Sequence, residues 1–255
     1  MERDDVRMSP KILIGTSGYS YSHWWDGVFY PKEVPQRKWL EYYTQFFNSV
    51  ELNVSFYRLV KKKTFEGWHR RTPEDFVFAI KGSRFITHIK KLMDSKEPLR
   101  LFLENASGLK EKLGVILWQL PPGLHLDLER LEAFCRLLSR VELSKDISQS
   151  FEFRHRSWFC DKVYDLLKGH NFSLCIAHSN RWPYEEVATS DFVYLRFHGG
   201  EALYGSNYSD GELEEWASKA TRWLNEGKHI FAYFNNDAYG FAVKNAIKLK
   251  ELLID

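Results

Sequence analysis

Eight short apolar segments alternate with helix-like segments along this sequence, and that alternation restricts the possible folds more than any other feature. The apolar segments have strand length and begin near Ile12, Val50, Phe76, Val115, Phe151, Phe172, Phe192 and Ile230. Eight alternations in 255 residues favour a closed (β/α)8 barrel of the α/β class, the TIM barrel, because an open sheet of this length usually has fewer strands. An open doubly wound sheet is the alternative. We expect a single domain over residues 1–255, with residues 1–10 as a flexible N-terminal tail.

The helix-like segments differ in strength. The stronger ones are RKWLEYYTQFF, TFEGWHRR, EPLRLFLENASGLKEKL, LERLEAFCRLLSR, WFCDKVYDLLKG, ELEEWASKATRWLNEG and FAVKNAIKLKELL. Asp127 and Ser157 are predicted helix start signals, and Ser209 with Glu212 has the spacing of a capping box. The segment from Pro183 to Ala188 is weak, so a sixth helix is the least supported element of the pattern.

Charge and composition limit the classes of partner. The formal net charge of +2 is too close to balance to indicate a nucleic acid or a membrane surface. No segment of about 18 apolar residues is present, and the N-terminal MERDDVRMSP has no apolar core, so we expect no membrane partner and a cytoplasmic protein. Cys135, Cys160 and Cys175 are widely spaced and form no CxxC pair, which indicates reduced, structural cysteines.

Strand alternation predicts which side chains face the barrel interior. Outward residues pack on helices, whereas inward residues become polar toward the active end of the barrel. The predicted outward residues are Val50, Leu52, Val54, Phe56, Phe76, Phe78, Ile80, Ile116, Trp118, Leu120, Phe151, Phe153, Val193, Leu195 and Phe197. The predicted inward residues are Glu51, Asn53, Ser55, Lys81, Gln119, Glu152, Arg154, Arg196, His198, Asn235 and Asp237. A slip of one residue in the last strand would replace its two inward residues with Phe234 and Asn236.

Charged side chains inside a barrel must pair with one another or bind a ligand, because isolated buried charges are very costly. One interpretation is a structural ion-pair network that fills the barrel. The other is an active site, since the carboxyl ends of the strands carry the chemistry in TIM-barrel enzymes. In that case Glu51 and Glu152 form an acid/base pair with different pKa values, one lowered by Arg154 or Lys81 and the other raised by burial.

Further residues complete the predicted site. His198 is a second candidate for proton transfer, and Lys81 is a candidate base or Schiff-base amine because a desolvated lysine beside cations can lose its proton. The predicted substrate-binding residues are Ser17, Tyr19, Trp24, Trp25, Asn53, Tyr57, Gln119, Arg154, Arg196, Gly199, Gly200, Asn235 and Asp237.

The loop after the first strand, GTSGYSYSHWWDGVFYP, holds many aromatic rings and matches neither a strand nor a helix period. Its rings are Tyr19, Tyr21, Trp24, Trp25, Phe29 and Tyr30. They are suited to a wall or lid that stacks on a flat ligand such as a sugar or a base. The alternative is that they pack among themselves as a plug.

The segment RFHGGEALYGSNYSDGEL is a candidate anion site. Phosphate often binds TIM barrels at the loops after the seventh and eighth strands. Arg196 would supply charge, and Gly199 and Gly200 would supply backbone N–H donors. The alternative is that the glycines only form a turn and that Arg196 only pairs with Glu152.

Several motifs resemble the YecE-like proteins, which share domain of unknown function 72. They are IGTSGYSYSHWWDGVFYP, FNSVELNVSFYRL, FVFAIKGSRFITH, WQLPPG, FEFRHRSWF, DFVYLRFHGG, YSDGELEEWA and YFNNDAYGFAVKNA, in the order of that family. The resemblance covers nearly the whole chain and implies a TIM barrel, but no established reaction. Where relatives often have Asp followed by Ser after the sixth strand, this sequence has His178 and Ser179. His178 is therefore either a replacement for a functional residue or a packed or surface side chain.

The sequence leaves three classes of function open. We expect an enzyme, a lyase, isomerase or hydrolase, that acts on a small polar, phosphorylated or sugar-like substrate without a predicted cofactor. A divalent metal held by side chains such as Glu51, Glu152 and His198 would instead make it a metal-dependent hydrolase, although no HxH or HExxH spacing is present. A noncatalytic module that binds a ligand or nucleic acid is the third class, although no RNA-binding signature is present.

Overall fold

Eight parallel strands form a nearly closed barrel in the computed structural model of the protein, which describes residues 11–254. The strands are β1 (Ile12–Thr16), β2 (Ser49–Leu52), β3 (Val77–Lys81), β4 (Leu113–Gln119), β5 (Ser148–Glu152), β6 (Ser173–His178), β7 (Phe192–Phe197) and β8 (His229–Phe234). Each pairs with its neighbours in chain order, and β1 pairs with β8. The predicted (β/α)8 barrel is confirmed. The predicted tail, residues 1–10, lies outside the described residues.

The barrel closes between β1 and β2, where side chains replace most of the backbone ladder. A single parallel bridge joins Ser17 to Glu51. The Asn48 amide accepts from the Ile14 N–H and donates to the Ile12 carbonyl, and the Tyr43 hydroxyl accepts from the Thr16 N–H. These bonds satisfy backbone groups that would otherwise be exposed at a sheet edge.

Gly15 permits the close approach of β1 to β2. A Cβ atom at this position would lie 2.0 Å from the carbonyl oxygen of Ser49. Because that oxygen belongs to the backbone of the neighbouring strand, no side-chain movement could relieve the clash. The closure of the barrel therefore requires glycine here.

Eight α-helices accompany the strands in the described part of the chain. They are α1 (Trp39–Tyr43), α2 (Val54–Tyr57), α3 (Lys62–Arg70), α4 (Lys96–Ala106), α5 (Leu128–Arg140), α6 (Asp161–Gly169), α7 (Asp210–Asn225) and α8 (Phe241–Ile254). The Asp127 cap is confirmed by a bond from the Arg130 N–H, and the Ser209–Glu212 capping box is confirmed. The start signal at Ser157 was wrong: it lies in a short 3-10 turn, and α6 begins after Cys160.

Two further predictions needed correction. No helix forms over Pro183–Ala188, so β6 leads to β7 through irregular chain. The inward and outward alternation also fails after Leu52, because β2 ends there and α2 begins at Val54. The Ser55 hydroxyl, predicted to point into the barrel, donates to the carbonyl of Lys81 at 2.7 Å and ties this helical turn to β3.

The core has two parts, one between strands and helices and one inside the barrel. The predicted outward residues Phe78, Ile80, Phe151, Phe153, Val193, Leu195 and Phe197 all belong to the outer part. The interior is filled at its lower levels by Leu13, Ala79, Val115, Leu117, Cys175, Ala177, Tyr194, Phe231 and Tyr233. All three cysteines are free. The barrel is thus a packed core that becomes polar only toward its carboxyl end.

None of the helices within residues 11–254 combines the length and the apolar character needed to cross a bilayer.

Candidate active site

A cavity of about 700 Å³ opens at the carboxyl end of the barrel. Its lining comes from the ends of all eight strands or from the loops that follow them: Tyr21, His23, Asn53, Phe56, Tyr57, Lys81, Arg84, His88, Gln119, Pro122, Arg154, Trp182, Arg196, Tyr204, Asn235, Asp237 and Ala238. Eight of the predicted site residues are among them: Asn53, Tyr57, Lys81, Gln119, Arg154, Arg196, Asn235 and Asp237. The predicted gathering of these loops at one end of the barrel is confirmed.

Beneath the cavity, Arg196 joins two buried carboxylates. Its Nη2 lies 2.7 Å from Oε1 of Glu51, and its Nη1 lies 2.5 Å from Oε2 of Glu152. Arg154 forms a further ion pair with Glu152. Glu51 also accepts hydrogen bonds from the Ser17 and Tyr194 hydroxyls, at 2.6 and 2.7 Å. Both carboxylates are completely buried, and neither is part of the cavity lining.

The two glutamates do not show the predicted difference in pKa. Burial raises the pKa of Glu51, but Arg196 and the hydroxyls of Ser17 and Tyr194 outweigh it and lower the pKa overall. Burial also raises the pKa of Glu152, but Arg154 and Arg196 outweigh burial and lower the pKa overall. The predicted splitting was wrong, because Arg196 pairs with both carboxylates and Arg154 adds a second cation at Glu152. Both therefore stay ionised and act as fixed negative charges.

Lys81, the last residue of β3, places a buried ammonium group at the cavity. It is 8% exposed, and its Nζ lies 4.2 Å from the centre of the Phe56 ring. Among the described residues, no carboxylate oxygen lies within 4.0 Å of this Nζ and no acceptor forms a hydrogen bond to it. Burial, and then Arg196, lower the pKa of Lys81 to about 8, although Glu152 and Glu51 oppose the shift. A measurable fraction of Lys81 is therefore a neutral amine at neutral pH.

His198 lies at the edge of the same polar group but is fully buried. Its Nδ1 is 3.0 Å from the amide nitrogen of Asn235, and its Nε2 is 3.4 Å from a terminal nitrogen of Arg154. Burial and Arg196 hold the pKa of His198 well below its usual range. A neutral imidazole has one acceptor nitrogen, so His198 can accept a hydrogen bond from Asn235 or from Arg154 but not from both. Both of these neighbours line the cavity.

The aromatic loop after β1 packs mainly on itself and on α1. Trp24 is completely buried and donates from Nε1 to Asp237 at 2.8 Å, and Tyr30 stacks on Trp39 at 4.5 Å between ring centres. Tyr19 lies against Tyr43. The plug interpretation therefore describes most of these rings.

Two residues of this loop, Tyr21 and His23, do line the cavity. Trp25 is exposed and borders a separate depression beside Trp39. Asp237 holds His23 at 2.9 Å, and burial raises the pKa of Asp237 to about 6 against the hydrogen bonds from Trp24 and His23. The rim of the cavity thus contains a carboxyl group whose pKa is raised by burial.

Gly199 and Gly200 do not form the predicted anion site. The Gly199 N–H donates to the Tyr208 hydroxyl, and a Cβ atom on Gly199 would lie 2.4 Å from the Ala202 carbonyl. Neither glycine lines the cavity. They form a tight turn instead, with Gly199 at a φ of 97°. Arg196 pairs with both glutamates rather than with Glu152 alone.

His178 is a packed residue. Its Nδ1 lies 2.8 Å from the Tyr208 hydroxyl, and its ring contacts Tyr184 and Trp216. Burial lowers the pKa of His178. Within residues 11–254, no three His, Cys, Asp or Glu side chains are grouped so that they could hold a metal ion.

Nine residues of the cavity lining are absent from the predicted site residues, and His23, Arg84, His88 and Trp182 are among them. These four lie between strands, where no strand alternation marks them as inward. Arg84 and His88 follow directly after β3 with a spacing of four residues, a helical spacing that places both on one side of a turn. That spacing was a signal that could have identified them.

The comparisons with known proteins agree with the fold. A family model described as "Protein of unknown function DUF72" matches residues 13–255. The UPF0759 protein YunF of Bacillus subtilis (strain 168) is 29% identical over 273 residues, which cover 95% of this chain and 94% of YunF. The crystal structure of a DUF72 family protein from Thermotoga maritima MSB8 has a TM-score of 0.83 and 29% identity, over 96% of this chain and 100% of that one.

A more distant structure shares the fold alone. It is a glycoside hydrolase family 5 enzyme from Prevotella bryantii B14, with a TM-score of 0.54 and 9% identity over 99% of each chain. The family model, by contrast, covers almost the entire sequence. The chain therefore belongs to the DUF72 family, to which its motifs had pointed.

Proposed function

We propose that the protein is an enzyme that binds a small anionic substrate at the carboxyl end of the barrel and uses Lys81 as a proton-transferring amine. The observation that carries this proposal is the position of Lys81, a buried ammonium at an open cavity with no carboxylate within 4.0 Å among the described residues. Such a charge costs folding free energy unless something compensates it. A bound anion would supply that compensation.

The local charges support an anionic substrate. Lys81, Arg84, Arg154 and Arg196 line the cavity, and so does the carboxyl group of Asp237. Two further carboxylates, Glu51 and Glu152, lie beneath the cations. Four cations against three anions leave one positive charge. A carboxylate or phosphate group of the substrate fits this excess, since guanidinium groups bind either one through paired hydrogen bonds.

The same geometry supports proton transfer. The pKa of Lys81 is lowered to about 8 in the protein without ligand, and the neutral fraction of this amine can take a proton from a carbon or hydroxyl next to the bound anionic group. The resulting negative charge would be stabilised by Arg154 and Arg196. Lyases and isomerases use this chemistry. Glu51 and Glu152 then fix the cations in place and do not exchange protons themselves.

The proposal is tested by ligand screening with two lysine variants. Inorganic phosphate, small carboxylic acids and small phosphate monoesters are titrated by calorimetry at pH 7 into the wild type, Lys81→Met and Lys61→Met, where Lys61 is an exposed control. We expect anion binding that Lys81→Met weakens at least about tenfold and that Lys61→Met leaves unchanged. Equal affinity in all three proteins would overturn the assignment.

Catalysis is tested separately from binding. Each ligand that binds is incubated with the protein in D₂O, and exchange of its C–H protons is followed by NMR. Exchange that depends on Lys81 supports the enzyme. Binding without exchange or turnover of any bound ligand would favour a noncatalytic binding module instead.

A further inference from the structure

A second groove, of about 640 Å³, lies beside the cavity and is mainly apolar. Its large apolar side chains include Phe56, Tyr57, Leu59, Phe85, Ile89 and Leu101. All except Phe56 are more than two-fifths exposed. Contiguous exposed apolar surface of this kind marks a binding region more often than scattered single residues do.

The groove is continuous with the cavity. Phe56, Tyr57 and Arg84 line both of them. The Lys81 ammonium lies over the Phe56 ring, with Nζ 4.2 Å from the ring centre. A ligand that occupies the cavity therefore reaches the groove by passing Tyr57 and the exposed side chain of Arg84.

The segment after β3 forms the boundary between the two spaces. Phe85–Ile89 is a π-helical turn. His88 lines the cavity, Phe85 and Ile89 line the groove, and Arg84, just before the turn, lines both. One short turn thus borders both spaces, and π-helical turns occur frequently at functional sites.

The backbone that follows this turn is strained. Lys91, Leu92 and Asp94 have φ values of 49°, 71° and 44°, in the left-handed region that non-glycine residues rarely occupy. Strain of this kind persists where the surrounding structure imposes it, often at ligand sites. These residues follow closely after the turn that borders the cavity and the groove.

We infer that the substrate has two parts: an anionic head over Lys81, Arg154 and Arg196, and an aromatic arm that lies in the groove. This inference rests on the proposed function, because the head occupies the proposed active site. An aromatic arm fits best because Phe56, Tyr57 and Phe85 supply ring faces and edges. The residues that select the arm are then those of the groove, separate from the cations that hold the head.

The test compares three probes with the same head: inorganic phosphate, methyl phosphate and phenyl phosphate, titrated by calorimetry at pH 7. Acetate and benzoate serve as the matching pair for a carboxylate head. In the wild type we expect the aryl compound to bind at least about tenfold more tightly than the methyl compound, from the apolar surface that the ring buries. The double variant Ile89→Asn/Leu101→Asn should reduce this ratio to about threefold or less while inorganic phosphate binds as before.

The matched control is Leu126→Asn/Leu143→Asn. Leu143 and Leu101 are similarly exposed, at 43% and 44%, but Leu143 and Leu126 are remote in sequence from the groove and do not line it. The control should keep the wild-type ratio of aryl to methyl affinity. An aryl compound that binds no more tightly than the methyl compound would overturn the groove assignment and leave the proposed function intact. The same conclusion would follow if Ile89→Asn/Leu101→Asn kept the wild-type ratio of aryl to methyl affinity. Failure of every head group to bind would overturn both proposals.

Discussion

Arg196 on β7 reaches across the barrel to Glu51 on β2, with Nη2 2.7 Å from Oε1. The same guanidinium lies 2.5 Å from Glu152 on β5, so one side chain connects three strands beneath the cavity. This pair explains why the two carboxylates, the most obvious acid/base candidates in the sequence, stay ionised and enclosed. They hold cations in position, and among the described residues no carboxylate oxygen lies within 4.0 Å of the Lys81 ammonium.

Replacing Arg196 with Met should strongly destabilise the protein. The change leaves Glu51 buried without its cationic partner, and breaking a buried ion pair by removing one member costs about 3–5 kcal/mol. Urea unfolding at pH 7 measures this difference. Arg222→Met, at an exposed position on α7, should change the unfolding free energy by less than about 0.5 kcal/mol. Similar small effects in both variants would mean that the network does not stabilise the fold.

Replacing Glu51 or Glu152 with Gln should lower stability at pH 7 by about 3 kcal/mol each. Because the folded-state pKa of each is lowered, their contribution is present above the ordinary carboxyl pKa of 4.5 and is lost as the pH falls toward the lowered value. The difference between wild type and variant should therefore shrink below pH 4.5. Unfolding curves between pH 7 and pH 3.5 measure it, and a difference that does not change with pH contradicts the prediction.

Replacing Lys81 with Met should raise stability at pH 7, by about 1–3 kcal/mol. The pKa of Lys81 is lowered to about 8 from 10.5, so its charged form opposes folding. This cost is full below pH 8 and disappears above about pH 10.5. The gain from Lys81→Met should thus be largest at pH 7 and nearly absent at pH 11.

Lys112 provides the matched comparison for this prediction. It is also buried, but its Nζ donates to the carbonyls of His69 and Thr72, both at 2.8 Å. Lys112→Met should therefore destabilise the protein under the same conditions. If both methionine variants lost stability, Lys81 would be an ordinary structural lysine.

Replacing Gly15 with Ala should prevent closure of the barrel, because the new Cβ would lie 2.0 Å from the Ser49 carbonyl oxygen. We expect a loss of more than about 3 kcal/mol, seen as a large fall in the thermal midpoint. Gly211, in the first turn of α7, has no neighbouring atom within 4 Å of an added Cβ. Gly211→Ala should leave the midpoint unchanged or raise it slightly through helix propensity. A stable Gly15→Ala variant would show that β1 and β2 are not held this closely.

Much of the fold was predictable because helices and strands each have a regular spacing of apolar residues in the sequence. The heptad-like spacing of LERLEAFCRLLSR fixed the residues of α5, Leu128–Arg140, without error. The alternation in β7 correctly placed Leu195 outward and Arg196 inward. The wrong predictions lie where tertiary contacts override the local spacing of apolar residues. Ser55 bonds to the Lys81 carbonyl and bends the chain into a helical turn where alternation alone predicted a strand.

The site was less predictable than the fold. Alternation identified Lys81, Arg154 and Arg196 as inward, but it contains no information on which charges pair. The pairing of Arg196 with both glutamates depends on the distance across the barrel, which no local pattern records. Loop residues such as His23 and Trp182 reach the cavity through irregular backbone, where side-chain direction has no period to follow.

The most direct test of the account is the titration of Lys81 by NMR. In protein labelled with ¹³C at the lysine ε-carbons, the Lys81 resonance is identified by its absence from Lys81→Met and is followed from pH 6 to pH 11. We predict a midpoint near pH 8 that rises by at least about one unit in saturating phosphate, because a bound anion stabilises the ammonium form. A midpoint near 10.5 that phosphate does not change would contradict the assignment of Lys81 as the reactive amine of an anion-binding site.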